Sequence, residues 1–326
     1  MNFLLSKMGL YAVAGWAVIT LNFLIPRLMP GDPASALFAR FKGKLKPDAM
    51  EALRQQLGLN DAPLLKQYWD YIAQLAQGEF GLSIAFHPEP VLGVIKIGFI
   101  WTVGLSGVAV LISVVVGTGL GAYAAWRQGG RFDAIVPPAV AFLAAFPYFF
   151  LAMILLFFLG LEWGLFPLGM AYGPYSAPGF NGGFIYDLVS HGFLPCLTIV
   201  LASLSGWLFV MRNTMIGVMG DEYVCLAHAK GLSRRRIFVA YAMRNALLPS
   251  LTSFGMALGF IVSGALLTEV VFSYPGLGYL LLKAILSQDY PLMQGIFLMI
   301  TLSVLLANIL VDALYYVLDP RTRGGR

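Results

Sequence analysis

Long apolar segments separated by short polar ones dominate this chain. Residues 9–29 form the first, with a single charge at Arg27, and residues 97–126 follow later without any charge. An α-helix rises about 1.5 Å per residue, so roughly 20 apolar residues cross a hydrocarbon layer of about 30 Å. Segments of this kind predict six transmembrane helices, at residues 9–29, 97–126, 134–161, 191–211, 246–271 and 292–318.

The longest polar segment, residues 30–96, follows the first apolar one. Residues 47–59 have a proline near their start and a glycine near their end, which is typical of a short helix. After Pro63, residues 64–78 carry apolar side chains at three- and four-residue spacing, which indicates an amphipathic helix. We expect a small extramembrane helical region here and not a separate domain.

Small residues and prolines punctuate the later apolar segments. Five glycines in residues 97–126 predict that this helix packs closely against its neighbours. Prolines in residues 134–161 predict kinks, with a moving hinge as the alternative. Residues 162–190 are rich in Gly, Pro and Tyr, which predicts a loop with aromatics suited to the membrane interface. The five glycines are Gly104, Gly107, Gly117, Gly119 and Gly121, and the prolines are Pro137, Pro138 and Pro147.

Composition supports a membrane protein, because 59% of residues are hydrophobic and only 11% are charged, against about 25% charged in soluble domains. The net charge of +5 lies mainly in loops and tails. Retention of Lys and Arg on the cytoplasmic side explains it better than nucleic-acid binding, which we do not predict. Cys196 and Cys225 predict neither a disulfide framework nor a metal site.

The distribution of basic residues predicts the orientation. Twelve Lys and Arg residues near segment ends fall on the side that holds both termini, whereas the short loops opposite hold only Lys283. The positive-inside rule therefore places both termini in the cytoplasm and residues 30–96 outside. The predicted fold class is an all-α integral membrane protein.

A basic stretch, Asp221–Pro249, interrupts the apolar second half of the chain. Asp221 suits an N-cap and Gly231 a C-terminal stop, so a helix of about two and a half turns is predicted between them. Ser233 can cap a second helix that leads towards the next span and ends before Pro249. A helix this short is marginal in isolation, so we expect the first helix to dock on a surface.

Residues 222–249, EYVCLAHAKGLSRRRIFVAYAMRNALLP, resemble the cytoplasmic EAA loop of ABC importer permeases. Their A-x-A-K-G-L…R-N-A-L-L-P form is similar to the oligopeptide, dipeptide and nickel branch, and earlier motifs resemble the first permease subunit of its pair. Cys225 and Arg244 depart from the generic motif's Glu and Pro, and the loop 169–183 is longer than this branch leads us to expect. The other matching segments are Pro30–Pro33, Leu57–Leu59, Gln67–Tyr68, Gly78–Ser83, Phe272–Gly278, Asp289–Pro291 and Asp319–Arg321.

The resemblance implies a layout and a set of coupling residues. It implies an N-terminal transmembrane helix (1–29), an extracytoplasmic helical region (30–96), a type I permease core of five helices (97–318) with a coupling loop (212–245), and a cytoplasmic tail (319–326). It also implies that the short helix fits a groove on an ATPase subunit. The coupling residues are then Asp221, Glu222, Tyr223, Cys225, Ala227, His228, Ala229, Lys230, Gly231, Leu232, Ser233 and Arg234. Of these, Ala227 and Ala229 are small enough to nest against the partner.

The implied partners are a second homologous permease subunit, two cytoplasmic ABC ATPase subunits, an extracytoplasmic substrate-binding protein and membrane lipid. The implied location is the cytoplasmic membrane of a bacterium or archaeon. ATP and Mg belong to the ATPase subunits and no cofactor to this chain. Consistently, the sequence has no G-x-x-x-x-G-K-[ST] phosphate loop, no H-E-x-x-H and no G-x-S-x-G, so no enzyme activity is predicted.

The sequence indicates less about the substrate and its pathway than about the coupling residues. Resemblance favours peptides, with oligosaccharides or nickel left open; a secondary transporter driven by an ion gradient and a membrane enzyme are the other function classes. Glu269 and Asp312 are intramembrane carboxylates and so functional candidates, with interface anchoring as the alternative. Tyr148, Met211 and Glu269 are the candidate pathway or gate residues.

Overall fold

The computed structural model describes residues 2–28, 62–264 and 266–318, so the predicted helix at 47–59, the Pro30–Pro33 motif and the tail 319–326 lie outside the described residues. Within those ranges the regular structure is helical, apart from one isolated bridge between Leu82 and Pro90. The helices are α1 (Asn2–Leu28), α2 (Leu64–Gln77), α3 (Val91–Trp126), α4 (Arg131–Ala144), α5 (Tyr148–Leu155, continued by a π-helical segment Leu156–Glu162), α6 (Gly182–Met219), α7 (Glu222–Ala229), α8 (Arg234–Arg236, continued by a π-helical segment Ile237–Met243), α9 (Arg244–Gly264), α10 (Leu266–Val271), α11 (Leu277–Leu286) and α12 (Tyr290–Leu318).

The chain divides into two compact units, residues 1–102 with 275–306 and residues 103–274 with 307–326. Among the described residues, three helices are long and apolar enough to cross a membrane: α3, α6 and the Tyr290–Ile309 part of α12. The pair α4 and α5 passes the same test only as one span bent by 100°. The multi-pass helical architecture therefore stands, and the count of six spans stays a prediction.

Two helix boundaries differ from the predicted ones. Helix α3 begins at Val91, so it includes Lys96, and α6 begins at Gly182, nine residues before the predicted start. The early start of α6 has a local cause, because the Asn181 side chain accepts a hydrogen bond from the Phe184 N–H at 2.8 Å and caps the helix. The last nine residues of the predicted 162–190 loop, 182–190, are thus helical.

The Asp187 carboxylate ties the remaining loop to α6. Its Oδ2 accepts the Gly173 N–H at 2.6 Å, and its Oδ1 lies 3.2 Å from His191 Nδ1. Hydrogen bonds from Ser176 and Gly173 lower the pKa of Asp187. The Gly- and Pro-rich segment is therefore held at a defined point on α6.

Pro147 marks the break in the third predicted span. Pro137 and Pro138 lie inside α4, whereas Pro147 is the N-cap of α5, with an extended backbone (φ −56°, ψ 143°) at the 100° bend. Proline has no N–H and disfavours a helical conformation in the residue before it. Of the three predicted kink sites, Pro147 is the one where the helix breaks.

A buried carboxylate, Asp289, organises the first unit. Its Oδ2 accepts hydrogen bonds from Ser83 Oγ (2.5 Å) and the Ala85 N–H (2.8 Å), and its Oδ1 accepts the Leu292 N–H (3.1 Å). Burial raises its pKa, an effect that these hydrogen bonds oppose. Asp289 thus caps α12 and fixes the loop before α3. This contact joins two segments that resemble the family, Gly78–Ser83 and Asp289–Pro291.

Close backbone contact between α3 and α6 organises the second unit. A Cβ at Gly117 would lie 2.5 Å from the Trp207 Cβ, and one at Gly121 would clash with the Leu208 carbonyl oxygen. Ser203 Oγ donates to Ser113 Oγ at 2.8 Å across the same contact. The predicted role of small residues is confirmed at these two glycines, whereas Gly104, Gly107 and Gly119 face open space.

We predict that Asp289→Asn lowers the thermal unfolding midpoint of the detergent-purified protein. The substitution replaces one acceptor oxygen by an NH₂ group, which cannot accept from Ser83 or Ala85, and an unsatisfied buried partner costs about 1–3 kcal/mol. Glu89→Gln is the matched control, since Glu89 is exposed in the same loop; it should change stability by less than about 0.5 kcal/mol. Equal midpoints for the two variants would show that Asp289 does not anchor the unit.

Candidate functional site

Helix α7 lies between two membrane-length regions and begins where the sequence predicts. Asp221 is extended (φ −68°, ψ 147°), and its carbonyl accepts the N–H groups of Val224 and Cys225 at 3.0 and 3.1 Å. Its side chain makes no capping hydrogen bond, so Asp221 starts the helix through its backbone and not through its carboxylate. Glu222 adds a negative charge in the first turn, which the helix dipole favours.

Gly231 ends α7 as predicted. It is left-handed (φ 72°), its N–H donates to the His228 carbonyl at 3.0 Å, and the Leu232 N–H donates to the Ala227 carbonyl at 3.3 Å. This pair of hydrogen bonds is the Schellman motif. A side chain at Gly231 would meet no atom within 4 Å, so the requirement for glycine is conformational and not steric.

One face of α7 is covered by the chain's own residues. Val224 and Ala227 are 1% and 2% exposed and pack against Ile237, with Leu232 and Tyr241 at the edge of the cluster. This contact supplies the surface that so short a helix requires. It also corrects one expectation: Ala227 is covered from within the chain, and only Ala229 of the two alanines is open to a partner.

The opposite face of α7 is open. Ten of the twelve predicted coupling residues are exposed, and the exceptions are Ala227, which is buried, and Leu232, which is half-buried. Leu226, which the sequence reasoning passed over, is 55% exposed, and Tyr223 three residues earlier is 37% exposed. Residues three apart lie on the same side of a helix, so the open face presents an apolar pair among polar neighbours.

After α7, the chain forms one continuous helical element from Arg234 into α9. Ser233 is the N-cap of α8 by backbone conformation (φ −61°, ψ 142°), although its side chain makes no capping bond. From Arg234 the helix continues through its π-helical segment into α9, so Pro249 lies inside a helix and not beyond its end, as had been predicted. Ile237, on which α7 packs, belongs to this continuous element.

Asn245 joins α7 to the start of α9. Its Nδ2 donates to the Tyr223 hydroxyl at 2.8 Å and to the Tyr241 carbonyl at 3.2 Å. From the sequence, this asparagine was recognised only as part of the R-N-A-L-L-P motif, and no role was predicted for it. Nothing in the sequence indicates its contact with Tyr223.

An ion pair connects α4 to α6 just outside their predicted spans. Arg212 Nε and Nη2 donate to Asp133 Oδ1 and Oδ2 at 2.6 and 2.9 Å, and the Gly129 N–H adds a bond to Oδ2 at 3.1 Å. The hydrogen bond from Arg212 lowers the pKa of Asp133, so the stabilisation is present above the unfolded-state pKa and is lost as pH falls through the folded-state pKa. Arg212 is thus paired with a carboxylate of its own chain.

The three predicted pathway residues lie in different surroundings. Tyr148 is 44% exposed directly after the 100° break, whereas Glu269 is fully buried in α10. The side chain of Asp312 lies outside the described residues. Met211 is a packing residue, 1% exposed in a cluster with Ala122, Ala125, Met215, Ala242 and Ala246.

Comparison with known proteins covers the whole chain. Residues 117–324 match the family described as "Binding-protein-dependent transport system inner membrane component", and residues 1–98 match the description of its N-terminal part. The chain is 33% identical to the dipeptide transport system permease protein DppB of Escherichia coli (strain K12), over 99% of both chains. It is 34% identical to the di/tripeptide transport system permease protein DppB of Pseudomonas aeruginosa (strain UCBPP-PA14), over 100% of both. Identity to the oligopeptide transport system permease protein OppB of Haemophilus influenzae is 32%, over 94% of both.

We predict that Ile237→Ala releases α7 from its support. Removing a buried isoleucine side chain costs about 2–5 kcal/mol, and Val224 and Ala227 lose the surface on which they pack. Amide hydrogen exchange of residues 222–229 should become faster by at least tenfold. Val239→Ala is the matched control on the same helical segment, because Val239 is 46% exposed; unchanged exchange in Ile237→Ala would refute the role of this contact.

Proposed function

The chain belongs to the family of binding-protein-dependent transport system inner membrane components, and from that membership we propose that it is the transmembrane permease subunit of an ATP-driven importer of dipeptides and oligopeptides. The observation that carries the proposal is similarity over essentially the full length to relatives named as dipeptide and oligopeptide permeases. Oligosaccharide or nickel import is the alternative within the same transporter type. A secondary transporter would instead work from an ion gradient without ATPase subunits.

In the mechanism we propose, α7 is the element on which the ATPase subunits act. The open face with Tyr223 and Leu226 sits in a groove of a cytoplasmic ATPase subunit, which binds ATP and Mg. When the ATPase subunits close, α7 moves with them and carries Ile237 and Asn245, because its buried face and Tyr223 are attached to these residues. The displacement passes along α8 into α9 and biases the spans between inward- and outward-facing packings.

The complete importer in this proposal contains four kinds of component. This permease pairs with a second, homologous permease subunit, two ATPase subunits bind from the cytoplasm, and a substrate-binding protein delivers peptide from outside. The chain crosses the cytoplasmic membrane of its cell six times, with both termini inside and residues 30–96 outside. The distribution of Lys and Arg supports this orientation.

We predict that Gly231→Val uncouples the importer whereas Gly231→Asn does not. Valine is strongly disfavoured at a φ of 72°, so it disrupts the stop that fixes the angle between α7 and α8, whereas asparagine tolerates the left-handed conformation. In proteoliposomes with the complete importer and its binding protein, Gly231→Val should reduce ATP-driven dipeptide uptake at least tenfold. Gly231→Asn should stay within about twofold of the parent.

The ATPase subunits that co-purify with each variant provide the second measurement. Loss of both uptake and co-purification in Gly231→Val supports docking through α7. If Gly231→Val keeps full association and full uptake, α7 is not the ATPase contact.

We predict that Cys225 and position 89 are labelled from opposite sides of the membrane. In a Cys196→Ala background, an impermeant maleimide should modify the exposed Cys225 only in inside-out vesicles. In a Cys196→Ala, Cys225→Ser, Glu89→Cys variant, the same reagent should modify residue 89 only in right-side-out cells, because Glu89 is exposed in the predicted outer region. Labelling of both positions from one side would contradict the proposed topology.

A further inference from the structure

The first unit contains a cavity of about 890 Å³ that the proposed coupling mechanism does not use. Arg27 in the last turn of α1 and Lys96 in the second turn of α3 both line it. The ends of two apolar helices therefore border one cavity. In the proposed six-span topology, on which this inference rests, the ends of α1 and α3 lie where the hydrocarbon gives way to lipid headgroups, which puts the cavity at headgroup depth.

Helix α2 forms another wall of the cavity and has the character of an interfacial helix. It contributes Asp70 and Tyr71 to the lining, while Leu64, Leu65 and Trp69 are exposed. An amphipathic helix with exposed leucine and tryptophan lies in the membrane interface with its apolar side towards the acyl chains. The cavity is thus bounded by elements that contact lipid.

Four charged side chains line the cavity, and their charges cancel: two cations, Arg27 and Lys96, and two carboxylates, Asp70 and Glu79. Arg27 is fixed in place, because its Nε donates to Gln67 Oε1 at 3.2 Å, its Nη1 donates to the Phe23 carbonyl at 3.0 Å, and its guanidinium carbon lies 3.7 Å from the centre of the Phe23 ring. A ligand with one negative and one positive group matches this lining, whereas a purely anionic ligand meets two repelling carboxylates.

Two neutral polar groups, those of Gln294 and Tyr71, lie behind the charged lining. Gln294 Nε2 is buried and has no hydrogen-bond acceptor among the residues that the structure describes. Burial raises the pKa of Tyr71 to about 12, so its hydroxyl keeps its proton at physiological pH. Both residues line the cavity, but these two atoms are covered, so the groups that can reach a ligand there are those of the charged side chains.

We propose that this cavity binds the headgroup of a zwitterionic phospholipid of the phosphatidylethanolamine class, with its phosphate held by Arg27 and Lys96 and its ammonium group held by Asp70 and Glu79. The acyl chains then run along the exposed apolar side chains of α2. A free dipeptide carries the same two charges, but the location at the ends of α1 and α3 favours a lipid, which is present at this depth at high concentration. The site is independent of which solute the importer carries.

The test uses the complete importer, purified in detergent and equilibrated with equimolar phosphatidylethanolamine and phosphatidylglycerol. Native mass spectrometry then measures the lipid that stays bound to this subunit. We expect retention of phosphatidylethanolamine over phosphatidylglycerol by about tenfold, the ratio that 1.4 kcal/mol of differential affinity gives. Lys96→Gln and Asp70→Asn should each reduce that preference to below about threefold, whereas Lys66→Gln, at an exposed lysine of α2 outside the cavity, should keep it.

Three results would overturn the proposal. These are equal retention of the two lipids by the parent protein, an equal loss of preference in Lys66→Gln and Lys96→Gln, and displacement of bound phosphatidylethanolamine by millimolar dialanine. The last result would assign the same charge pair to a free peptide. Asp70 and Lys96 are exposed, so the thermal midpoints of their variants should match that of Lys66→Gln, which separates lost binding from lost folding.

Discussion

Every backbone N–H and C=O group that enters hydrocarbon must find its partner within the protein, since each unsatisfied group costs several kcal/mol there. This constraint makes the membrane-length segments helical and confines irregular backbone and ionic contacts mainly to the helix ends. Three carboxylates follow the pattern: Asp289 caps α12, Asp133 pairs with Arg212, and Asp187 holds the Gly- and Pro-rich loop. Each joins two segments that are distant in sequence. Polar contacts at the ends therefore set how the apolar helices are arranged.

The short helix α7 depends on contacts with the rest of the chain for its stability. A helix of eight residues has too few internal hydrogen bonds to persist alone, so its stability derives from Val224 and Ala227 packed on Ile237 and from the Gly231 stop. These contacts use one face completely and leave the other free. The support, Ile237, lies on the element that continues into α9, and in the proposed mechanism a force applied to the free face reaches α9 through this contact.

Sequence reasoning located the main elements because their signals are local. Gly231 ends α7 through a left-handed conformation, and Pro63 precedes α2, as predicted from their types and positions. Contacts between distant residues carried no such signal: the pairing of Ser83 with Asp289, of Arg212 with Asp133 and of Asn245 with Tyr223 depends on the tertiary fold. The same limit explains Ala227, whose small size suits packing against either a partner or its own chain. The start of α6 was also predicted too late, because the Gly-, Pro- and Tyr-rich composition of residues 162–190 concealed a helix capped by Asn181.

The central claim is that the free face of α7 contacts an ATPase subunit, and site-specific crosslinking tests it most directly. A photo-crosslinking amino acid at Leu226, the most exposed apolar position of α7, should form an adduct with the ATPase subunit in the assembled importer. The same group at Val239, exposed on the neighbouring helix, provides the comparison for a surface that α7 does not present. The account predicts a strong, ATPase-specific adduct from position 226. An adduct with lipid alone, or none, would contradict it.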